Sequence, residues 1–409
     1  MPFRHHVLNF LLLTILVSLV ALLVDRGKIM TPEITTPYFS AAALPVTGQG
    51  WEFNVNEAAA LKKVNEIANA DERRKAINNF RFSDQREQVR TYSLNQPGLV
   101  WCIKVARMLF GFAGDILALK LLQLLIHILA SFFILKKLNT GKKRLLFLFL
   151  YVLNPFIIYL TIFPFYYFWQ VIPSFLIIIL MQNDRMQKVS VIIFFAILFA
   201  AVCQIRITVL PVTLLILLFG FSKLNWKVRI MALGVFALAF YLLSPSYTSK
   251  HPGHVMYASL GAYPGSPVRS FSDTTAFQDY SKATGINYSY QTTPGMYDAE
   301  VIMGEAKWGY EQFVKFAKDH PFIILRNAAL NFFEGFSAGY ITKSLSLTYL
   351  SAFIGCCFFY YLIRRKQWKS IVLIITSFSA YFLYLAPVPI YLYGTYVLLV
   401  FGLLSCLDA

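Results

Sequence analysis

Carboxylates are scarce in this chain: its 409 residues include 20 Asp and Glu against 37 Lys and Arg, and only 14% of residues are charged. Cysteine and histidine are also few, at five and six. The cysteines (Cys102, Cys203, Cys356, Cys357, Cys406) lie in or beside apolar stretches, so neither a disulfide framework nor the ligand spacing of a structural zinc site is visible. Internal repeats are not evident, which argues against solenoids and inverted-repeat transporters. Apolar residues fill the space left by charge. They make up 57% of the chain, with a mean hydropathy of +0.58, beyond the range of a soluble globular domain.

Apolar runs approaching the ~20 residues that span a bilayer occur near 7–24, 114–135, 145–163, 166–181, 189–204, 207–222, 229–244, 345–363, 370–386 and 388–406. Pro155, Pro164, Pro173 and Pro211 interrupt several of them. The expected fold is therefore an all-α polytopic membrane protein with about ten transmembrane helices. The net charge of +17 invites a nucleic-acid reading, but the cations are placed as topology signals. Lys136, Lys137, Lys142, Lys143 and Arg144 fill one short connector; Arg185 and Lys188 a second; Lys223, Lys227 and Arg229 a third; Arg364, Arg365, Lys366 and Lys369 a fourth. The positive-inside rule places these connectors and both termini in the cytoplasm and both acid-bearing loops outside, and the short loops with no eukaryotic retention signal suggest a multi-pass protein of a bacterial inner membrane.

Sixteen of the 20 acids fall in two long polar segments, nine in 25–97 and seven in 245–320. The implied organisation is a first transmembrane helix at 1–24, kept as an uncleaved anchor, and a first extracytoplasmic loop at 25–113. A bundle at 114–244, a second loop at 245–343 and C-terminal helices at 344–409 follow. In the first loop, 56–79 reads as one mixed-charge surface helix, and 97–111 as an amphipathic helix with Pro97 in its first turn. In the second, 298–319 reads as a helix with Ile302, Ala306, Tyr310, Phe313 and Phe316 along one side. Residues 321–340 read as a helix lying in the interface, with Arg326, Asn327, Asn331 and Glu334 as its polar positions. The stretch 250–267 mixes His251, His254, Tyr257 and Tyr263 with glycines, a composition suited to sugar faces and hydroxyls.

The order of these features resembles the GT-C superfamily, membrane glycosyltransferases that take a sugar from a polyprenyl-phosphate carrier, including bacterial protein/lipid mannosyltransferase-like and aminoarabinose-transferase-like enzymes. The resemblance rests on Glu33 followed by Tyr38, Ala42 and Gly48-Gln49-Gly50, on Asn95-Gln96-Pro97-Gly98 and Leu109-Phe110-Gly111, on Asn154-Pro155, and on the stretch from His254 to Gly265. The acid expected four residues before Tyr38 would fall on Ile34. Glu33 stands one position further back, so Asp25 at the exit of the first span competes with it.

The resemblance implies direct displacement at the anomeric carbon, with Glu33 or Asp25 as the base and Tyr38, His251, His254, Tyr257 and Tyr263 contacting sugar or acceptor. Cations at headgroup depth, namely Arg206, Lys104, Arg107, Lys120 and Arg326, would stabilise the departing polyprenyl phosphate. No cofactor is required by this chemistry, and two histidines without a matched carboxylate do not define a metal site. The implied partners are a polyprenyl-phosphate sugar donor, membrane lipids, a glycan, lipid or protein acceptor, and the enzyme that makes the donor. An O-antigen polymerase or ligase, and a flippase or transporter of lipid-linked sugars, are the competing classes.

Overall fold

The computed structural model of the chain describes residues 2–29, 32–44, 46–47, 50–92, 96–181, 187–244, 252–286 and 299–407. Helix α1 (Pro2–Val24) buries one stripe, Leu13, Val17 and Ala21, spaced four apart. Leu8, Leu11, Leu12, Ile15, Leu19, Leu22 and Leu23 around it stay exposed, as suits a lipid-facing surface.

The first polar segment begins with α2 (Pro32–Ala43) and a small antiparallel sheet in the order β1 (Val46–Thr47), β2 (Gly50–Asn54), β3 (Val89–Tyr92), which the sequence reading did not anticipate. Between β2 and β3, the helix expected over 56–79 is two helices, α3 (Val55–Asn65) and α4 (Ala70–Asn79). Asn69 causes the break. Its side chain accepts from the backbone N–H groups of Asp71 and Glu72 and so starts a new helix. Nor is the whole surface solvated: Glu57 and Arg73 are buried, with Arg73 donating to the carbonyls of Ile67 and Arg26. Helix α5 (Pro97–Leu109) matches the amphipathic expectation, burying Leu99, Val100, Ile103 and Ala106 while Lys104, Val105, Met108 and Leu109 face outward.

The apolar helices follow: α6 (Asp115–Lys137), α7 (Gly141–Phe147), α8 (Pro155–Thr161), α9 (Val171–Met181), α10 (Val189–Ile205), α11 (Leu210–Leu215) and α12 (Trp226–Leu243). Among the described residues four helices are long and apolar enough to cross a membrane: Val7–Val24, Asp115–Lys137, Trp226–Leu243 and Leu345–Arg364. A fifth is added if Gly141–Val152 and Pro155–Thr161, bent by 54°, form one span. The other five expected spans are shorter apolar helices of 10–17 residues. Breaks account for the bend at 152–155 and for the interruption within 207–220. Asn154 caps α8 at its Pro155, Pro211 opens α11, and wide π turns occupy Leu148–Val152 and Ile216–Gly220.

The second polar segment contributes α13 (Gly253–Ser259), α14 (Asp273–Thr284), α15 (Ala299–Asp319) and α16 (Pro321–Glu334); α17 (Leu345–Arg364), α18 (Trp368–Phe378) and α19 (Tyr393–Ser405) close the chain. Ala306, Phe313 and Phe316 of α15 are buried as expected, but Tyr310 is exposed. Helix α16 is turned relative to expectation: Asn327, Asn331 and Glu334 point into the protein, and the outward face carries Phe322 at 83% exposure. Helices α13 and α15 cross at backbone contact. A Cβ on Gly253 would stand 1.7 Å from the Ala306 carbonyl oxygen, and one on Gly309 2.8 Å from that of Gly253.

Gly253→Ala is expected to destabilise the protein by roughly 2–4 kcal/mol, because backbone cannot yield as a flexible side chain does. Gly141→Ala, whose Cβ would meet nothing within 4 Å, should stay within about 0.5 kcal/mol. Thermal melts in detergent distinguish the two.

Candidate functional site

The end of the bundle that carries both polar segments is organised around Arg206. This residue terminates α10, its extended backbone leading into a 3₁₀ turn, Ile207–Val209. Its guanidinium carbon lies 4.9 Å from the ring centroid of Tyr166, 5.3 Å from that of Tyr167 and 5.2 Å from that of Tyr391. No carboxylate pairs with it among the described residues, and its buried Nε has no hydrogen-bond partner. Aromatic faces attract a cation through their quadrupole, by about 0.5–2 kcal/mol each, without cancelling its charge. The positive charge thus remains available to an anion.

Each part of this cage has a local cause. Tyr166 and Tyr167 belong to a 3₁₀ turn, Tyr166–Gln170, fixed to the far segment by Gln170 Nε2 donating to the Ile390 carbonyl at 3.1 Å. The Tyr381 hydroxyl donates to the Tyr391 carbonyl at 2.8 Å and sets the connector between α18 and α19. Tyr38 of α2 packs edge-on to Phe165 at 5.5 Å and to Tyr166 at 6.4 Å, and donates to Gln96 at the head of α5. Gly98 admits that head against α10, since a Cβ there would approach the Ile205 nitrogen to 2.7 Å. The Gln204 side chain, next to Arg206, ties α10 to Ser244 at 2.6 Å.

The other expected cations are placed differently. Lys120 pairs with Asp25 at 2.8 Å and donates to Asn78 at 3.0 Å, while Asp25 also accepts from the Gly27 N–H. Arg107 pairs with buried Asp115 at 3.2 Å, and Asp115 accepts from the Phe82 N–H at 2.7 Å. Beside it, buried Glu57 accepts from Ser40 and from the Ser83 N–H. Burial pushes the Glu57 carboxyl up, against the opposing effect of those hydrogen bonds. Lys104 is exposed, and exposed Arg326 donates to the carbonyl of Pro264 and to Asn327. Glu33 lies on α2 five residues ahead of Tyr38, but its side chain and all of His251 lie outside the described residues.

In the second polar segment a histidine joins three helices. His254 of α13 bonds through Nδ1 to Glu305 of α15 at 2.8 Å and through Nε2 to Asp273 of α14 at 3.2 Å, with its ring stacked on Phe277. Burial opposes the imidazolium, yet the hydrogen bonds and charges of Asp273 and Glu305 prevail and lift its pKa to about 10. Asp273 is correspondingly held below the ordinary carboxylate range: burial raises it, but the bond to His254 outweighs that. Tyr257 donates to Asp279 at 3.1 Å. The Tyr263 hydroxyl lies 2.8 Å from Asn331 Oδ1 and 2.9 Å from both oxygens of Glu334. Glu334 is fully buried, and desolvation raises its pKa to about 8 despite the Tyr263 hydrogen bond. Ser259, Tyr263, Asn327, Asn331 and Tyr384 line a small cleft.

Thus Arg206 and Tyr38 share one aromatic cluster, whereas Asp25, Lys120 and Arg107 are engaged in ion pairs. Tyr166, Tyr167 and Tyr391 were missed because nothing local distinguishes them among 24 tyrosines. A signal existed only in the density of aromatics over 163–169. Among the described residues no group of three or more His, Cys, Asp or Glu side chains is arranged to hold a metal. No protein-family model, no curated protein and no solved structure matches this chain.

The raised pKa values make the second segment sensitive to alkali. With the folded imidazole near 10 and the unfolded one near 6.5, its contribution is complete below about 6.5 and disappears as pH rises through about 10. His254→Gln should lower stability at neutral pH by roughly 2–4 kcal/mol and flatten the alkaline part of a melting-temperature profile. Glu334 acts in the same direction lower down. Its neutral carboxyl stabilises the fold below about 4.5, and that contribution is lost as pH climbs through about 8. Glu334→Gln is expected to remove that slope between about pH 5 and 8.

Proposed function

We propose that this chain is a polyprenyl-phosphate-dependent glycosyltransferase of the GT-C kind, spanning a bacterial cytoplasmic membrane in about ten passes with its site on the extracytoplasmic face. The observation that carries the reading is Arg206, an arginine at the end of an apolar helix, ringed by Tyr166, Tyr167 and Tyr391 and lacking a carboxylate partner among the described residues. An unneutralised guanidinium at the edge of an apolar layer is costly unless it serves an anion. A lipid-borne phosphate is the anion naturally presented there.

In this reading Arg206 binds the phosphate of the donor and stabilises the charge it gains as the glycosidic bond breaks. The phenol rings and Tyr38 bound the sugar, supplying flat apolar faces with hydroxyl edges. Lys120 and Asp25 fasten the first polar segment to α6, and Arg107 with Asp115 does so beside them, so these four act on folding rather than chemistry. The paired ions also speak for a transferase over a flippase, since they sit at one end of the bundle instead of lining a path through it.

The test is release of free polyprenyl phosphate from a panel of radiolabelled polyprenyl-phosphate sugars by purified protein in nanodiscs. Arg206→Leu should reduce release by about 10²–10³-fold, the range for loss of one charge-stabilising donor, and Arg206→Lys should restore part of it. Asp25→Asn should instead lower the melting temperature. Folded wild-type protein that releases nothing from any donor would refute the reading.

A further inference from the structure

Along α6 a polar stripe runs through the apolar bundle. Lys120, Gln123, His127 and Ser131 recur at spacings of three and four residues, and all four are buried. At 1.5 Å of rise per residue, Gln123 and His127 stand about 12 and 18 Å along the helix from Asp115, within the apolar layer rather than at its edge. Polar side chains at that depth persist only with partners. Gln123 Nε2 donates to the Phe165 carbonyl at 3.1 Å, and His127 Nε2 lies 3.2 Å from the carbonyl of Val152. The Val152 carbonyl is open to it because the N–H four residues on, that of Phe156, donates instead to Asn154 Oδ1 at 3.0 Å. These two bonds fasten both ends of the segment containing α8 to α6.

Each bond leaves an acceptor behind. A carbonyl only accepts, so Phe165 fixes the Gln123 amide with Nε2 toward it and Oε1 turned away, and Val152 fixes the His127 proton on Nε2. The imidazole is packed with the rings of Tyr151 and Phe175, at 5.5 and 6.5 Å, and pairs with no carboxylate among the described residues, so it is neutral and its Nδ1 carries a lone pair. Gln123 Oε1 and His127 Nδ1 are both buried without a hydrogen-bond partner. Two acceptors cannot satisfy each other. Residues one turn apart on a helix stand about 5–6 Å apart at Cβ, and two hydrogen bonds of about 2.8 Å laid end to end cover that separation. The missing partner is small, uncharged and donates twice. Ser131, one turn further along α6, and Ser174, beside Phe175 in α9, add buried hydroxyls that also have no partner.

Going beyond the transferase reading and independent of it, we propose that α6 carries a buried water site in which one molecule donates an O–H to Gln123 Oε1 and the other to His127 Nδ1. The water closes a ring of hydrogen bonds that runs from Gln123 through Phe165, α8 and Val152 to His127. It thereby holds the turn from which Tyr166 and Tyr167 reach Arg206.

Pulsed X-ray hydroxyl-radical labelling of the full-length protein in nanodiscs reads such a site, because radicals made from a bound water oxidise the side chains beside it while dry buried side chains stay unmodified. Phe175 and Phe195 are equally buried, at 2% exposure, and Phe195 is packed with Phe194, Phe199 and Phe221. Phe175 and Tyr151 should be oxidised and Phe195 should not. The double variant Gln123→Leu/His127→Leu should lose the oxidation at both positions. Wild type in which Phe175 and Tyr151 are as unmodified as Phe195 overturns the proposal, and so does oxidation that persists in the folded double variant. A melting temperature raised by ammonium or sodium chloride but not by choline chloride overturns it as well, since a cation then fills the place. Should the double variant fail to fold, the wild-type comparison of Phe175 with Phe195 decides alone.

Discussion

A guanidinium held by rings is the contact on which the polar end of this molecule depends. Arg206 is partly withdrawn from solvent, and no carboxylate among the described residues neutralises it. Its charge is accommodated by three π faces from two segments far apart in the chain, the 166–170 turn and the connector before α19. Holding those faces at contact distance requires the Gln170–Ile390 and Tyr381–Tyr391 hydrogen bonds, which brace the connector. The connector in turn receives the second polar segment at Ala386. Tyr38 brings the first segment onto the same cluster. One half-buried charge thus assembles pieces of both polar segments and of the bundle.

The chain's few carboxylates are treated individually. Asp25 and Asp115 are matched by Lys120 and Arg107 and attach the first polar segment to the start of α6. Such buried pairs add little net stability over an apolar contact but tolerate only one partner geometry, and so specify how the segment docks. Glu305 serves the same end inside the second segment through His254. Glu334 has no cation partner among the described residues; burial keeps its carboxyl protonated near neutral pH, so it packs as a hydrogen-bonding neutral group. Asp273 meets His254 from the other side, through Oδ1.

Periodic features were legible in the sequence and paired ones were not. The apolar runs, the face of α5 and the core side of α15 follow from residue spacing, a local property. The division of 56–79 depends on Asn69, whose capping power is visible in principle but is masked by a continuous pattern of helix formers. Five of the expected spans are helices of 10–17 residues, and in one of them, Ile207–Gly220, Pro211 and a π turn interrupt the regular helix without reducing hydrophobicity, which hydropathy alone does not register. The orientation of α16 depends on what Tyr263 offers to Asn331 and Glu334, 68 and 71 residues away. For the candidate site, Arg206 stood out as a charge in an unfavourable place, whereas its rings are defined only by tertiary structure.

The crossing of α13 and α15 carries a consequence for the history of such a chain. Two hydrogens occupy the space where Gly253 and Gly309 would otherwise bear side chains, and the opposing backbone fills the rest. A joint built from main chain against main chain cannot drift by single substitutions, because every larger residue separates the helices that carry His254 and Glu305. Descendant sequences are free to lengthen or recompose the loops around it, but they must carry this pair of glycines forward together.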